Sequence, residues 1–122
     1  MNLLATTILT AYLSGGLVPL PGQWLPWYTD VSAYCPCEQC CGVYADGMTA
    51  AKTKANHPLA AAPSVIPFGT QMYIPGYQDY LVKVEDRGGA IRGNKLDLLY
   101  PTHQEALVWG RRQMVVWVYL PE

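Results

Sequence analysis

No lysine or arginine precedes Lys52, phenylalanine occurs once, and histidine only twice in 122 residues. The missing early basic residues leave the amino terminus without the positively charged stretch that normally opens a secretory signal. The stretch Leu3 to Leu17, almost entirely apolar or small, is short for a helical membrane span. Charge of either sign is scarce at 14%, and eight basic side chains nearly cancel nine acidic ones. That balance supplies no electrostatic reason to expect nucleic acid or an anionic membrane surface as partner. Internal repeats and low-complexity tracts are absent, which excludes solenoids and arrays. A chain that is 51% apolar is not disordered either, so a single domain with a real core plus an N-terminal extension is expected.

What is present divides the chain into two parts. Residues 1–30 read as an apolar, signal- or anchor-like segment followed by a proline-rich linker, and residues 31–122 as the domain. Ser14-Gly15-Gly16 offers small residues for cleavage after the apolar run. Export to the cell envelope, or membrane association through this segment, is the expectation; a hydrophobic element of the mature protein is the alternative. Three prolines in Val18–Trp27 mark that stretch as a linker. All four cysteines fall within seven residues, as Cys35, Cys37, Cys40 and Cys41. In an exported chain, local disulfides are the leading reading, with three possible pairings, and a bridge between the adjacent Cys40 and Cys41 would be strained. A thiolate metal centre is the rival, although no second ligand pair is visible at a distance in the sequence. His103 sits in a helix start and reads as a surface residue or a neighbour of Tyr100; His57 reads as solvated.

The most informative stretch is Glu85-Asp86-Arg87-Gly88-Gly89-Ala90-Ile91-Arg92-Gly93-Asn94-Lys95-Leu96-Asp97. It places Asp86 and Asp97 at the two ends of a glycine-punctuated loop, each beside a strand-like sequence. Gly88, Gly89 and Gly93 would let the loop fold back and bring its ends together. Two carboxyl groups held close resist joint ionisation, so one keeps its proton near neutral pH, as glycosidic bond cleavage requires. An ordinary turn whose acids are capped by Arg87, Arg92 or Lys95 is the alternative. Nine Tyr and four Trp provide amphipathic rings suited to sugar surfaces or to a small β-rich core.

Elsewhere the pattern is of short strands. Met48–Thr53, Thr70–Ile74, Tyr80–Glu85, Leu96–Leu99 and Gln113–Leu120 read as strands, and Pro63–Gly69 as a rigid corner. Thr102-His103-Gln104-Glu105 is a capping box opening a helix whose face continues through Ala106, Leu107 and Trp109, with Gly110 placed to end it. The fold class expected is mainly β, a small closed barrel.

Several landmarks carry a resemblance. They are Ala45–Ala50, Ser64–Thr70, Val84–Gly93 with its Asp-Arg-Gly-Gly-Ala-Ile-x-Gly element, Lys95–Leu98 and Thr102–Gly110. Together they resemble the three-aspartate (3D) domain, a six-stranded double-psi β-barrel with one or two short helices. Related barrels occur in membrane-bound lytic transglycosylase A, in stationary-phase-survival cell-wall proteins and, more distantly, in expansins. The resemblance implies a lytic transglycosylase that cleaves the β-1,4 bond between N-acetylmuramic acid and N-acetylglucosamine in the peptidoglycan glycan strand. Asp97 would be its acid and base and Asp86 its partner. Asp46, Thr49, Lys52, Arg87, Gly88 and Gly89 would contact substrate, and no cofactor or metal is implied. One departure stands out: the first of the family's three aspartates matches Ala62 here. A non-catalytic, expansin-like wall-binding barrel is therefore an alternative, as is a structural component of a surface or phage assembly.

Overall fold

The computed structural model describes residues 23–37 and 46–120. Six strands close into a barrel: β1 (Gln23–Tyr34), β2 (Ala60–Ala61), β3 (Gln71–Tyr73), β4 (Val82–Asp86), β5 (Lys95–Leu99) and β6 (Arg112–Leu120). Around the barrel the order is β1-β5-β2-β4-β3-β6. The β1/β5 and β2/β4 pairs are parallel and the others antiparallel. Among the described residues there is a single helix, α1 (His103–Trp109). The mainly β, six-stranded barrel read from the sequence is the architecture found.

Alternation explains the interior. Val82 and Val84 on β4, Leu96 and Leu98 on β5, and Val116 and Val118 on β6 are all buried, while Lys83 between the first pair and Val115 before the last face out. Leu25 and Val31 of β1, together with Met72 of β3, complete the same core. Burying each such side chain is worth about 1.5–3 kcal/mol, so these positions carry the barrel. Tyr77 fastens the seam where β2 begins. Its hydroxyl donates to the Leu99 carbonyl, with the Leu59 carbonyl 3.3 Å away, and accepts from the Leu59 amide, and its burial pushes the phenol well above the ordinary tyrosine range.

The strands depart from the sequence reading in three places. The linker read over Val18–Trp27, and with it the boundary at residue 30, gives way from Gln23 onward to β1, the longest strand. Pro26 is tolerated there because β5 joins β1 only from Asp30; earlier, β1 pairs with β6 alone and its other edge needs no N–H. Met48–Thr53 is not a strand but a tight turn closed by the Met48–Lys54 bridge, with Lys52 at φ 68°. The third is β2, which alanine's low strand propensity concealed; only small side chains fit where it threads between β4 and β5, at 0% and 3% exposure.

The helix is capped as expected. Thr102 Oγ1 accepts from the Glu105 amide and donates to Glu105 Oε1, and Gly110 ends the helix at φ 70°. Ala106 and Trp109 face inward, with Trp109 Nε1 donating to the Val31 carbonyl at 3.0 Å. Leu107, placed on that face by its spacing, points to solvent instead.

Candidate active site

One row of side chains crosses four strands of the barrel. In the ladder registers Ser32 of β1 lies opposite Asp97 of β5, Asp97 opposite Ala61 of β2, and Ala61 opposite Asp86 of β4. Residues directly opposite across a ladder share a face, so all four open on the same side. Asp86 joins this row only through a β-bulge. Between Ala60 and Ala61 the partner on β4 advances from Val84 to Asp86, two residues for one. Without that register shift Ala61 would face Glu85, and Asp86 would turn to the other side. Glu85 itself is drawn away, its carboxylate 2.6 Å from His57 Nε2, so His57 is partnered rather than simply solvated.

The two aspartates line a cleft of about 600 Å³, within the range of small-ligand sites. They are not crowded together by a folded-back loop, as the sequence suggested. With β2 between them, their backbones stand two strand spacings apart, about 10 Å. Of the loop glycines, only Gly93 needs a left-handed backbone, at φ 65°. Gly88 and Gly89 both line the cleft; a Cβ on Gly88 would press to 3.1 Å from Ile91, whereas one on Gly89 would meet nothing within 4 Å.

Asp97 is pushed up from 3.8 to about 6. Burial is the largest cause; the hydrogen bond from Ser32 Oγ, 3.1 Å from Oδ1, opposes it, and the charge on Asp86 adds a smaller upward push. Like-charge repulsion, expected to dominate, is thus secondary. Three donors hold Asp86 in place. Tyr34 Oη donates to Oδ2 at 2.6 Å, and the amides of Ala50 and Arg87 donate to Oδ1 at 2.8 and 2.9 Å.

The expected substrate contacts divide. Asp46, Thr49, Arg87, Gly88 and Gly89 line the cleft; Lys52 does not reach it. Asp46 caps the Met48 amide, and the Thr49 hydroxyl is engaged with Thr53 Oγ1 at 2.6 Å. Arg87 does not pair with the Asp86 carboxylate. Its guanidinium donates to the carbonyls of Ala62, Ile66 and Asp86 and stacks 4.0 Å from the Phe68 ring centre, clamping the Pro63–Gly69 corner. Ala62, in the place of the missing family acid, is fully buried in the core behind the cleft. Ser32 and Tyr34 were missed because β1 was read as linker in part and never as a strand. The alternation of Thr29, Val31 and Ala33 against Asp30, Ser32 and Tyr34 was the available signal.

Among the described residues, one group could hold a metal ion: Cys35, Cys37 and His103. None of the three lines the cleft. Cys40, Cys41 and the apolar segment before residue 23 lie outside the described residues. No described helix is long and apolar enough to cross a membrane.

A family model described as the 3D domain matches residues 57–120. The chain is 38% identical over 75 residues to the cell wall-binding protein YocH of Bacillus subtilis (strain 168), covering 62% of this chain and 25% of that protein. It is 32% identical over 80 residues to the putative cell wall shaping protein YabE of the same organism, covering 66% of this chain and 19% of that protein. The chain therefore spans a quarter or less of the length of these relatives.

Proposed function

The chain belongs to the 3D domain family, and from that premise we propose that its cleft binds the glycan strand of peptidoglycan in the cell envelope and cleaves it as a lytic transglycosylase. The observation that carries this reading is Asp97: a largely buried carboxyl held up to about 6, on the same face as a firmly positioned Asp86 and lining a cleft. In this reading Asp97 donates its proton to the glycosidic oxygen between N-acetylmuramic acid and N-acetylglucosamine. The departing N-acetylglucosamine hydroxyl takes that proton, and positive charge develops at the muramic C1. Asp86, held by Tyr34 and two amides, steadies that charge across the cleft. The Asp97 carboxylate then takes the proton from the muramic C6 hydroxyl, whose oxygen bonds to C1. The product is a 1,6-anhydro sugar, and Asp97 is again protonated. One residue serves both steps because each restores the protonation state the other needs. Acid–base assistance of this kind is worth about 100- to 10,000-fold in rate.

The names of the two relatives, cell wall-binding and cell wall shaping, support a wall polymer as ligand. They support equally a second reading, a barrel that binds glycan without cutting it, which Ala62 in place of the family's first aspartate favours. Incubation of the purified chain with sacculi, followed by mass spectrometry of the soluble products, separates the two. Anhydro-muropeptides are expected from the wild type. Retention on sacculi with no soluble product would leave only the binding function.

A further inference from the structure

The proposed reaction makes no use of the cysteine-rich segment. We propose that Cys35, Cys37 and His103 form a zinc site that braces one wall of the cleft. Sγ of both cysteines and a ring nitrogen of His103 all lie within 4.8 Å of one another, and Cys35 Sγ is 3.8 Å from His103 Nδ1. In a tetrahedral zinc centre with ordinary bond lengths, sulfur–sulfur and sulfur–nitrogen separations are about 3.8 and 3.6 Å. The group thus needs to close by no more than about 1 Å to take the ion. The long-range ligand that seemed to be missing from the sequence is His103, which arrives from 68 residues beyond Cys35. A local disulfide among the cysteines gives no reason for an imidazole at that place. Two thiolates and one imidazole are a donor set suited to zinc over magnesium or calcium.

The supports are rigid. Cys35 is fully buried at the exit of β1, and Pro36 restricts the backbone between the two thiols. His103 opens α1, whose start is fixed by the Thr102 cap. The two sides are already tied together, since the Tyr100 amide donates to the Tyr34 carbonyl at 2.8 Å. The same stretch of chain reaches the cleft: Tyr34 holds Asp86, and Pro36 lines the wall. Zinc here would anchor the backbone on either side of Pro36 without touching substrate. The inference stands apart from the catalytic reading, because metal binding is measured without glycan.

The test uses the full chain purified under reducing conditions. After dialysis against zinc, elemental analysis is expected to find about one zinc per chain. Titration with cobalt(II) is expected to produce a thiolate-to-cobalt charge-transfer band. Loss of a ligand should weaken binding more than loss of a ligand's hydrogen-bond partner, so His103→Ala is expected to lower cobalt affinity more than about 100-fold. Cys37→Ser should weaken the band and the affinity likewise. Far-ultraviolet circular dichroism checks that the variants fold, and His103→Gln serves if the alanine variant does not. Zinc should raise the Tm of the wild type and leave that of the His103 variant unchanged. No retained zinc in the reduced wild type would overturn the proposal. So would a folded His103 variant that binds cobalt as the wild type does, or rapid alkylation of the native chain showing all four cysteines already paired.

Discussion

Asp97 combines a destabilising position with the property the proposed chemistry requires. Below pH 3.8 its carboxyl is protonated whether the chain is folded or not. Between 3.8 and about 6 the unfolded chain loses the proton first, so stability falls as pH rises through this window. The full difference amounts to about 3 kcal/mol at neutral pH. Asp97→Asn should therefore stabilise the fold by about 1–3 kcal/mol at pH 7.5 and change it little at pH 3.5, as chemical denaturation at the two pH values would show. The same substitution should lower anhydro-muropeptide release at least about 100-fold, because the proton donor is gone. In the wild type, cleavage should decline as pH rises through about 6. Tyr34→Phe removes one of three donors to Asp86 and leaves two amides in place. Its expected effect is a drop in turnover of about tenfold, with a stability loss near 1 kcal/mol. Activity unchanged in a folded Tyr34→Phe would detach Asp86 from the reaction.

At the level of elements, the device that builds the site is the bulge at Glu85, which brings Asp86 onto the face of Asp97. The Arg87 clamp supports it from the following residue. Replacing Arg87 by Ala removes its bonds to three carbonyls and the Phe68 contact, and should cost about 2 kcal/mol by denaturant titration. Arg87→Lys should recover little of this, since an ammonium cannot reproduce the planar fork. β4, β5, β6 and the capped helix announce themselves by alternation, by β-branched and apolar side chains and by the Thr102–Glu105 box. Asp86 and Asp97 were legible as a pair from the glycine loop between them. Their geometry was not, because it depends on a register shift against β2, and two alanines give no local sign of a strand. β1 was hidden by Pro26, which belongs to a part of the strand with one free edge. The nearness of His103 to Cys35 depends on barrel closure and has no local signature.

Across the molecule, the described amino-terminal strand is integral to the barrel rather than an appendage. β1 pairs with β5 and β6, delivers Tyr34 to the cleft and Ser32 to Asp97, and accepts the Trp109 indole bond. A chain begun at Gly47, which retains the family-matched stretch, should therefore fail to fold cooperatively. Loss of the sharp thermal transition seen for the full chain is the expected result. The proposed chemistry needs a barrel that largely buries one carboxyl beside a cleft and holds a second opposite it. Carbon-13 nuclear magnetic resonance of labelled aspartate carboxyls reads that arrangement directly in the full chain. Asp97, assigned by its absence in Asp97→Asn, should titrate near 6. In Asp86→Asn it should move only slightly downward, because burial outweighs the neighbouring charge. An Asp97 midpoint near the ordinary 3.8 would contradict the account at its root.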